Sequence, residues 1–197
     1  EIQGYFTDEA IQTLRLPEIR IGTNVLEAEL PFGKRIGAEW FYILGKFDVS
    51  LSGTKKTLTP CASRRSFESL TRQGMPFYGA NATYEAEFIL EEPSDISVFL
   101  SKYRGALVKV SIDGIVRGII AYSPYRLNID ALPAGKHTVS LELFGNRYNS
   151  FGSLHNADAN TWWIDAMVWR TEGDRWTYDY LVRDFGILAP PEIKILE

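Results

Sequence analysis

The residues best equipped for chemistry lie between Phe144 and Tyr180, in FGNRYNSFGSLHNADANTWWIDAMVWRTEGDRWTYDY. Four of the five tryptophans (Trp162, Trp163, Trp169, Trp176) fall here, together with His155, one of two histidines. Flat rings beside amide and guanidinium donors are what holds a sugar, since rings cover apolar C–H faces and planar polar groups satisfy hydroxyls. Arg147 and Asn149 share a side of the chain if the strand continues past Leu143; with His155 and Asn156 they are the candidate polar contacts. Trp162 and Trp163 are adjacent, so in a strand they face opposite ways, one toward the core and one exposed or under a loop. Tyr78 and Tyr125 sit beside Gly79 and Pro124 in loops and are expected to line the same end. The same composition also suits a long loop pinned over the end of a β-sandwich. Arg147, Asn149, His155 and Asn156 would then bond loop carbonyls, Trp169 would pack in or over the sandwich, and the face Trp176, Tyr178, Tyr180 would lie against a neighbouring loop.

Other chemistries find less support. Glycoside hydrolysis needs two carboxylates about 5–10 Å apart, and Asp158, Asp165, Glu172, Asp174 and Asp179 are the candidates. Nothing in the sequence sets two of them across a cleft, and no catalytic residue is assigned. His155 lies near Ser150, Ser153 and Asp158, but no strand–turn–helix elbow presents a nucleophile. Two histidines and the lone Cys61 exclude a thiolate metal cluster and an internal disulfide framework. Cys61 lies beside Arg64 and Arg65, which favour a thiolate; an ordinary, partly buried thiol is the expectation. No metal or cofactor is assigned. The oxygen-rich loop His155–Thr161 is the one place where a structural calcium ion could sit, although no spaced Asp-x-Asp-x-Asp signature marks it.

The elements that must position these residues read as strands. In Val25–Phe32, Leu26, Ala28, Leu30 and Phe32 alternate with Glu27 and Glu29, the period of a half-buried strand. Trp40–Leu44 is apolar on both faces. Phe47–Ser52 alternates with Phe47, Val49 and Leu51 inward, before a turn at Ser52–Lys55. Residues 60–81 have no period and form a long connection. Strands follow at Ala82–Leu90, Ile96–Leu100, Val108–Ile112, Ile115–Ala121, Leu127–Ile129 and Val139–Leu143, with Asp113-Gly114 marking a type I′ hairpin. Ile164–Trp169, Trp176–Val182 and Ile193–Leu196 complete the series. Residues 1–24 fit either short strands or a helical turn.

With 197 residues, 45% of them hydrophobic, the chain can bury a substantial core, and no linker-like stretch divides it. A formal charge of −4 argues against a nucleic-acid partner, and no apolar run has the roughly 20 residues that a membrane span requires. The absence of an initial Met and of a signal segment suggests a piece of a longer polypeptide, whose compartment stays open. The expected fold is an all-β antiparallel sandwich of jelly-roll type, one module over residues 1–197.

Several stretches resemble a known family. They are YILGKFDV (Tyr42–Val49), QGMPFYGAN (Gln73–Asn81), the Asp-Gly hairpin with AYSPYRLNI (Ala121–Ile129), LPAGKHTVSLELFGNRYNSFGSLHN (Leu132–Asn156), AMVWRTEGDRWTYDY (Ala166–Tyr180) and FGIL (Phe185–Leu188). These are similar to C-terminal jelly-roll modules, of galactose-binding-domain-like fold, appended to mostly bacterial glycoside hydrolases, and in kind to the sugar-binding domains of family-two β-glycosidases. The likeness covers most of the chain beyond Glu39; residues 1–38 match loosely and are expected to be opening strands that follow another domain. The resemblance implies a non-catalytic module whose partners are a carbohydrate, the catalytic domain of the parent chain, or both. It leaves three readings: a weak sugar binder, a ligand-free module docked on that catalytic domain, and a hydrolase in its own right.

Overall fold

The computed structural model describes residues 2–17, 19–29, 33–34, 41–158 and 166–196, in two compact units, Glu1–Leu44 and Gly45–Glu197. In the first unit, β1 (Ile2–Phe6) and β2 (Asp8–Leu14) form an antiparallel hairpin that turns at Thr7. The expected strand over Val25–Phe32 is not found: residues 25–29 are exposed and irregular, and 30–32 lie outside the described residues. Phe41–Leu44 are likewise exposed and irregular, with Trp40 outside the described residues. Apolar alternation specifies a strand only where a sheet edge offers hydrogen bonds, and among the described residues none pairs with these segments.

The second unit is an antiparallel β-sandwich. Its strands are β3 (Asp48–Ser52), β4 (Lys55–Thr59), β5 (Ala82–Leu90), β6 (Ser94–Phe99), β7 (Tyr103–Arg104), β8 (Val108–Ile112), β9 (Ile115–Ile120), β10 (Arg126–Leu132), β11 (Gly135–Leu143), β12 (Gly186–Ile187) and β13 (Glu192–Ile195). One sheet has the order β5-β11-β8-β9 and the other β10-β6-β13; β7 pairs with β12, and β3 with β4. Alternation dictates which faces meet. Tyr84, Val108, Val110, Ile112, Val139, Leu141 and Leu143 from the first sheet pack against Ile96, Val98, Ile129 and Leu132 from the second. Each such side chain contributes about 1.5–3 kcal/mol on burial. The opposite face of the first sheet carries Glu87 paired with Lys136 and Glu142 paired with Lys109.

The two ends of the sandwich differ. At one end, short links join neighbouring strands: residues 91–93 between β5 and β6, Asp113-Gly114 between β8 and β9, and residues 133–134 between β10 and β11. Among the described residues, the long connections (60–81, 100–107, 121–125, 144–158 and 166–185) gather at the other, open end. The register requires this, because Ala82, Leu143, Val108 and Ile120 lie abreast there, as do Phe99, Arg126 and Glu192.

Three further expectations change. Asp48, expected outward, is buried, because Arg65 pairs with its carboxylate and the Ala62 N–H donates to it at 3.0 Å. Within Ile164–Trp169, the described residues Ala166–Trp169 form a 3-10 turn, and Trp169 is exposed instead of packed. Trp176–Val182 is irregular, tied to residues 154–156 by a bridge between Asn156 and Trp176 and by backbone bonds from Thr177 and Leu181. Among the described residues, neither segment joins a strand of either sheet.

At the closed end, Asp113 and Gly114 take φ of 51° and 79°, the type I′ geometry that the dipeptide announces. His137, buried, places Nδ1 2.7 Å from the Asp113 carboxylate and Nε2 2.9 Å from the Pro133 carbonyl. Both partners accept, so the ring serves them best with both nitrogens protonated. The Asp113 carboxylate, aided by the Pro133 carbonyl and opposed by burial, holds the His137 pKa above its ordinary value. The His137 ring and the Thr138 N–H hold the Asp113 carboxyl below its own. The raised histidine contributes stability in full below about pH 6.5, and that contribution is lost as pH rises through its folded value. The depressed aspartate contributes above about pH 4, and its share is lost as pH falls through its lowered folded value. We therefore expect the thermal midpoint to fall between about pH 6 and about pH 9 in the native chain, with a smaller fall in His137→Gln. Equal alkaline slopes in thermal scans of the two proteins would refute this account.

Candidate ligand-binding cleft

Three segments build a cleft at the open end. The first wall is β3 with its turn. The second is the connection over residues 60–81, which lacks a ladder and satisfies its backbone with side chains. Gln73 does most of this: its Oε1 accepts from Ser66 N at 2.7 Å and its Nε2 donates to the Ser66 and Glu68 carbonyls at 3.2 Å. Val49 N donates to Gly74 O at 2.8 Å, joining β3 to the connection. Gly74 has φ of 85°, and a Cβ there would come within 2.8 Å of the Asp48 side chain, so only glycine permits this approach.

The third wall, residues 179–184, is carried by residues 144–158. The single turn α1 (Tyr148–Phe151) follows β11, and Asn149 is buried beneath it. Its Nδ2 donates to Arg183 O at 2.8 Å and its Oδ1 accepts from Arg183 N at 2.9 Å. Above them the Arg183 guanidinium lies 3.6 Å from the Tyr148 ring centroid. Further along, Leu181 N donates to Leu154 O at 2.7 Å and Thr177 N to His155 O at 2.9 Å. His155 Nδ1 faces the carbonyls of Thr177 (2.9 Å) and Asp179 (3.2 Å), so the proton is assigned to that nitrogen.

These bonds line up a row of rings. Tyr178 meets Trp176 edge-on at 4.2 Å, Trp176 lies 6.0 Å from His155, His155 4.5 Å from Tyr180, and Tyr180 5.1 Å from Phe77. Tyr178 is exposed at one end of the row. Tyr180 forms part of the cleft wall, its hydroxyl accepting from Lys56 Nζ at 2.8 Å. The cleft encloses about 800 Å³, and Asp48, Thr71, Gln73, Asp179, Tyr180 and Asp184 are among its lining residues. Arg72, also in the wall, stands 3.4 Å from Asp184. A ring flanked by hydroxyl, amide and carboxylate groups can stack on an apolar face and exchange hydrogen bonds around its edge.

The residues singled out from the sequence are distributed as follows. Trp162 and Trp163 lie outside the described residues. Asn149 is buried, with its amide bonded to Arg183. His155 sits inside the ring row, and Asn156 bridges to Trp176 beside it. Arg147 is exposed, its carbonyl receiving the Ser150 and Phe151 N–H groups of α1. Tyr78 is half-buried, donating to Asn81 O at 2.7 Å and packing 6.3 Å from Phe185. Tyr125, exposed, meets Tyr103 edge-on at 5.7 Å. None of these six described residues is among those lining the cleft. Asp48, Thr71 and Gln73 escaped sequence reasoning; the aperiodic connection was the available signal, but not its partners.

Of the acidic candidates, Asp179 lines the cleft, Asp158 pairs with Arg175 at 3.4 Å, and Glu172 and Asp174 are exposed. Asp165 lies outside the described residues, as do residues 159–161 of the candidate calcium loop. Among the described residues, no three His, Cys, Asp or Glu side chains come together as metal ligands. Cys61 is exposed, a correction to the partly buried thiol expected, because the connection carries it on its outer side.

No protein-family model matches the chain, and no curated protein matches it. Among solved structures, a rhamnosidase from Novosphingobium sp. PP1Y aligns with 75% of this chain at 19% identity and a TM-score of 0.46. A GH2 beta-galacturonidase from Eisenbergiella tayi aligns with 54% at 20% identity, with TM-scores of 0.35 in its galacturonate complex and 0.33 in its glycerol complex. The aligned part spans 14% of the rhamnosidase chain and 18% of the galacturonidase chain.

Because Asn149 replaces a strand partner for Arg183, Asn149→Ala should leave part-buried backbone groups unsatisfied and cost about 1 kcal/mol or more. Urea unfolding measures this. A loss below about 0.5 kcal/mol would mean that water or a shifted loop takes over the bonds.

Proposed function

We propose that the chain is a non-catalytic carbohydrate-binding module of a glycoside hydrolase, of galactose-binding-domain-like jelly-roll type, which holds a sugar weakly at its open end. The observation that carries this reading is the row of rings running from exposed Tyr178 to the polar-rimmed cleft at Tyr180. A sugar ring has apolar faces and a polar edge, and this arrangement offers both kinds of partner side by side. Trp162 or Trp163 would extend the platform, with Arg147, His155 and Asn156 near it. The sequence stretches similar to accessory modules of glycoside hydrolases support the same assignment. Affinity should be on the order of millimolar to micromolar, since a shallow stacking site buries little of its ligand.

A second role is favoured by the first unit. Ile19, Ile21, Val25, Leu26 and Phe41–Leu44 are apolar and exposed, as expected of a surface that a catalytic domain of the same polypeptide covers. Such docking is compatible with sugar binding by the second unit.

A glycan array probed with the whole chain, with and without calcium, tests the sugar reading. We expect retention of at least one oligosaccharide class, weakened about ten-fold or more in Tyr180→Ala, Trp162→Ala or Trp163→Ala. If no glycan is retained, or if all three variants bind like the native chain, the sugar assignment fails.

A further inference from the structure

The cleft wall carries three carboxylates, Asp48, Asp179 and Asp184, against the Arg72 guanidinium, with the Lys56 ammonium beside it on the Tyr180 hydroxyl and 4.7 Å from that ring's centroid. Two of the three are occupied. Asp48 is buried against Arg65 and the Ala62 N–H, and Asp184 faces Arg72. Asp179 differs: among the described residues, no group donates to its carboxylate. It stands next to Tyr180 in the chain and leans toward the turn between β3 and β4, where a Cβ at Gly53 would lie 3.3 Å from its Oδ1. Gly53, with φ of 57°, serves the turn and keeps that side of the carboxylate uncrowded.

An ionised carboxylate only accepts hydrogen bonds, and its two oxygens can receive two hydroxyl groups from adjacent carbons, or an ammonium group. A second anion held against it would meet like-charge repulsion, since the Lys56 ammonium is bonded to the Tyr180 hydroxyl and not to Asp179. Resting on the sugar-binding reading above, we propose that Asp179 determines specificity by charge: the cleft takes neutral and amine-bearing saccharides and rejects uronates and sulfated sugars. Tyr180 supplies the stacking face, and Asp179 the edge contact that separates the classes. The attraction for an amine weakens with salt, whereas hydroxyl recognition does not.

The test uses the whole chain with immobilised neutral hexose and pentose oligomers, glucosamine hexamers and galacturonate hexamers, at low and at high salt. We expect retention of the neutral oligomers or the glucosamine hexamers, and galacturonate at least about ten-fold weaker. Asp179→Asn, of the same shape and at an exposed position, should narrow that gap about ten-fold and remove the salt dependence of any glucosamine binding. Equal or tighter binding of galacturonate by the native chain overturns the inference and leaves sugar binding standing, as does an unchanged gap in Asp179→Asn. Retention of none of the sugars overturns the sugar-binding reading itself, and this inference with it.

Discussion

Asn149 hydrogen-bonds both the N–H and the carbonyl of Arg183, as a residue of a neighbouring strand would. The open end depends on bonds of this kind. Buried backbone groups must be paired, and the loops there have few ladders to pair them. Side-chain amides take that place: Asn149 for Arg183, and Gln73 for residues 66–68. Each amide offers a donor and an acceptor in one plane, the combination that a peptide group presents. The apolar sandwich beneath could exist without them; the cleft could not.

This explains a division of labour among the polar residues of the Phe144–Tyr180 stretch. Asn149, rich in hydrogen-bonding capacity, spends it inward. His155 uses Nδ1 on two carbonyls while its ring bridges Trp176 and Tyr180. Asp179 and Tyr180, by contrast, are turned to the space that the loops enclose. Groups that hold the end together and groups that face the cleft are thus neighbours in sequence, and residue type does not distinguish them.

The sandwich was legible because its signals are local. From Ala82 to Leu143 the period of two, the Asp-Gly turn and the short links each report a strand or its end, and the register places their apolar faces together. The open end was only partly legible. Composition drew attention to His155, Trp176, Tyr178 and Tyr180, but reading 176–182 as a strand misassigned how these rings meet, since loop bonds and not a pleat bring them together. Asp48 turned inward because Arg65, seventeen positions away, waits for it. Val25–Phe32 shows the converse: a strand pattern carries no weight where no described edge receives it. The cleft itself had no signature, because its three walls come from three separate stretches of the chain.

Those walls come from chain regions that meet only over long separations; Thr71 and Arg183, which hydrogen-bond across them, are 112 positions apart. Joining such distant points carries a loop-closure entropy that nearest-neighbour hairpins avoid, and it slows collapse into the finished form. A ribosome-bound chain that has emerged through β11 already owns all four strands of the larger sheet but just two sides of the recess. The recess therefore gains its third side only after the larger sheet is complete.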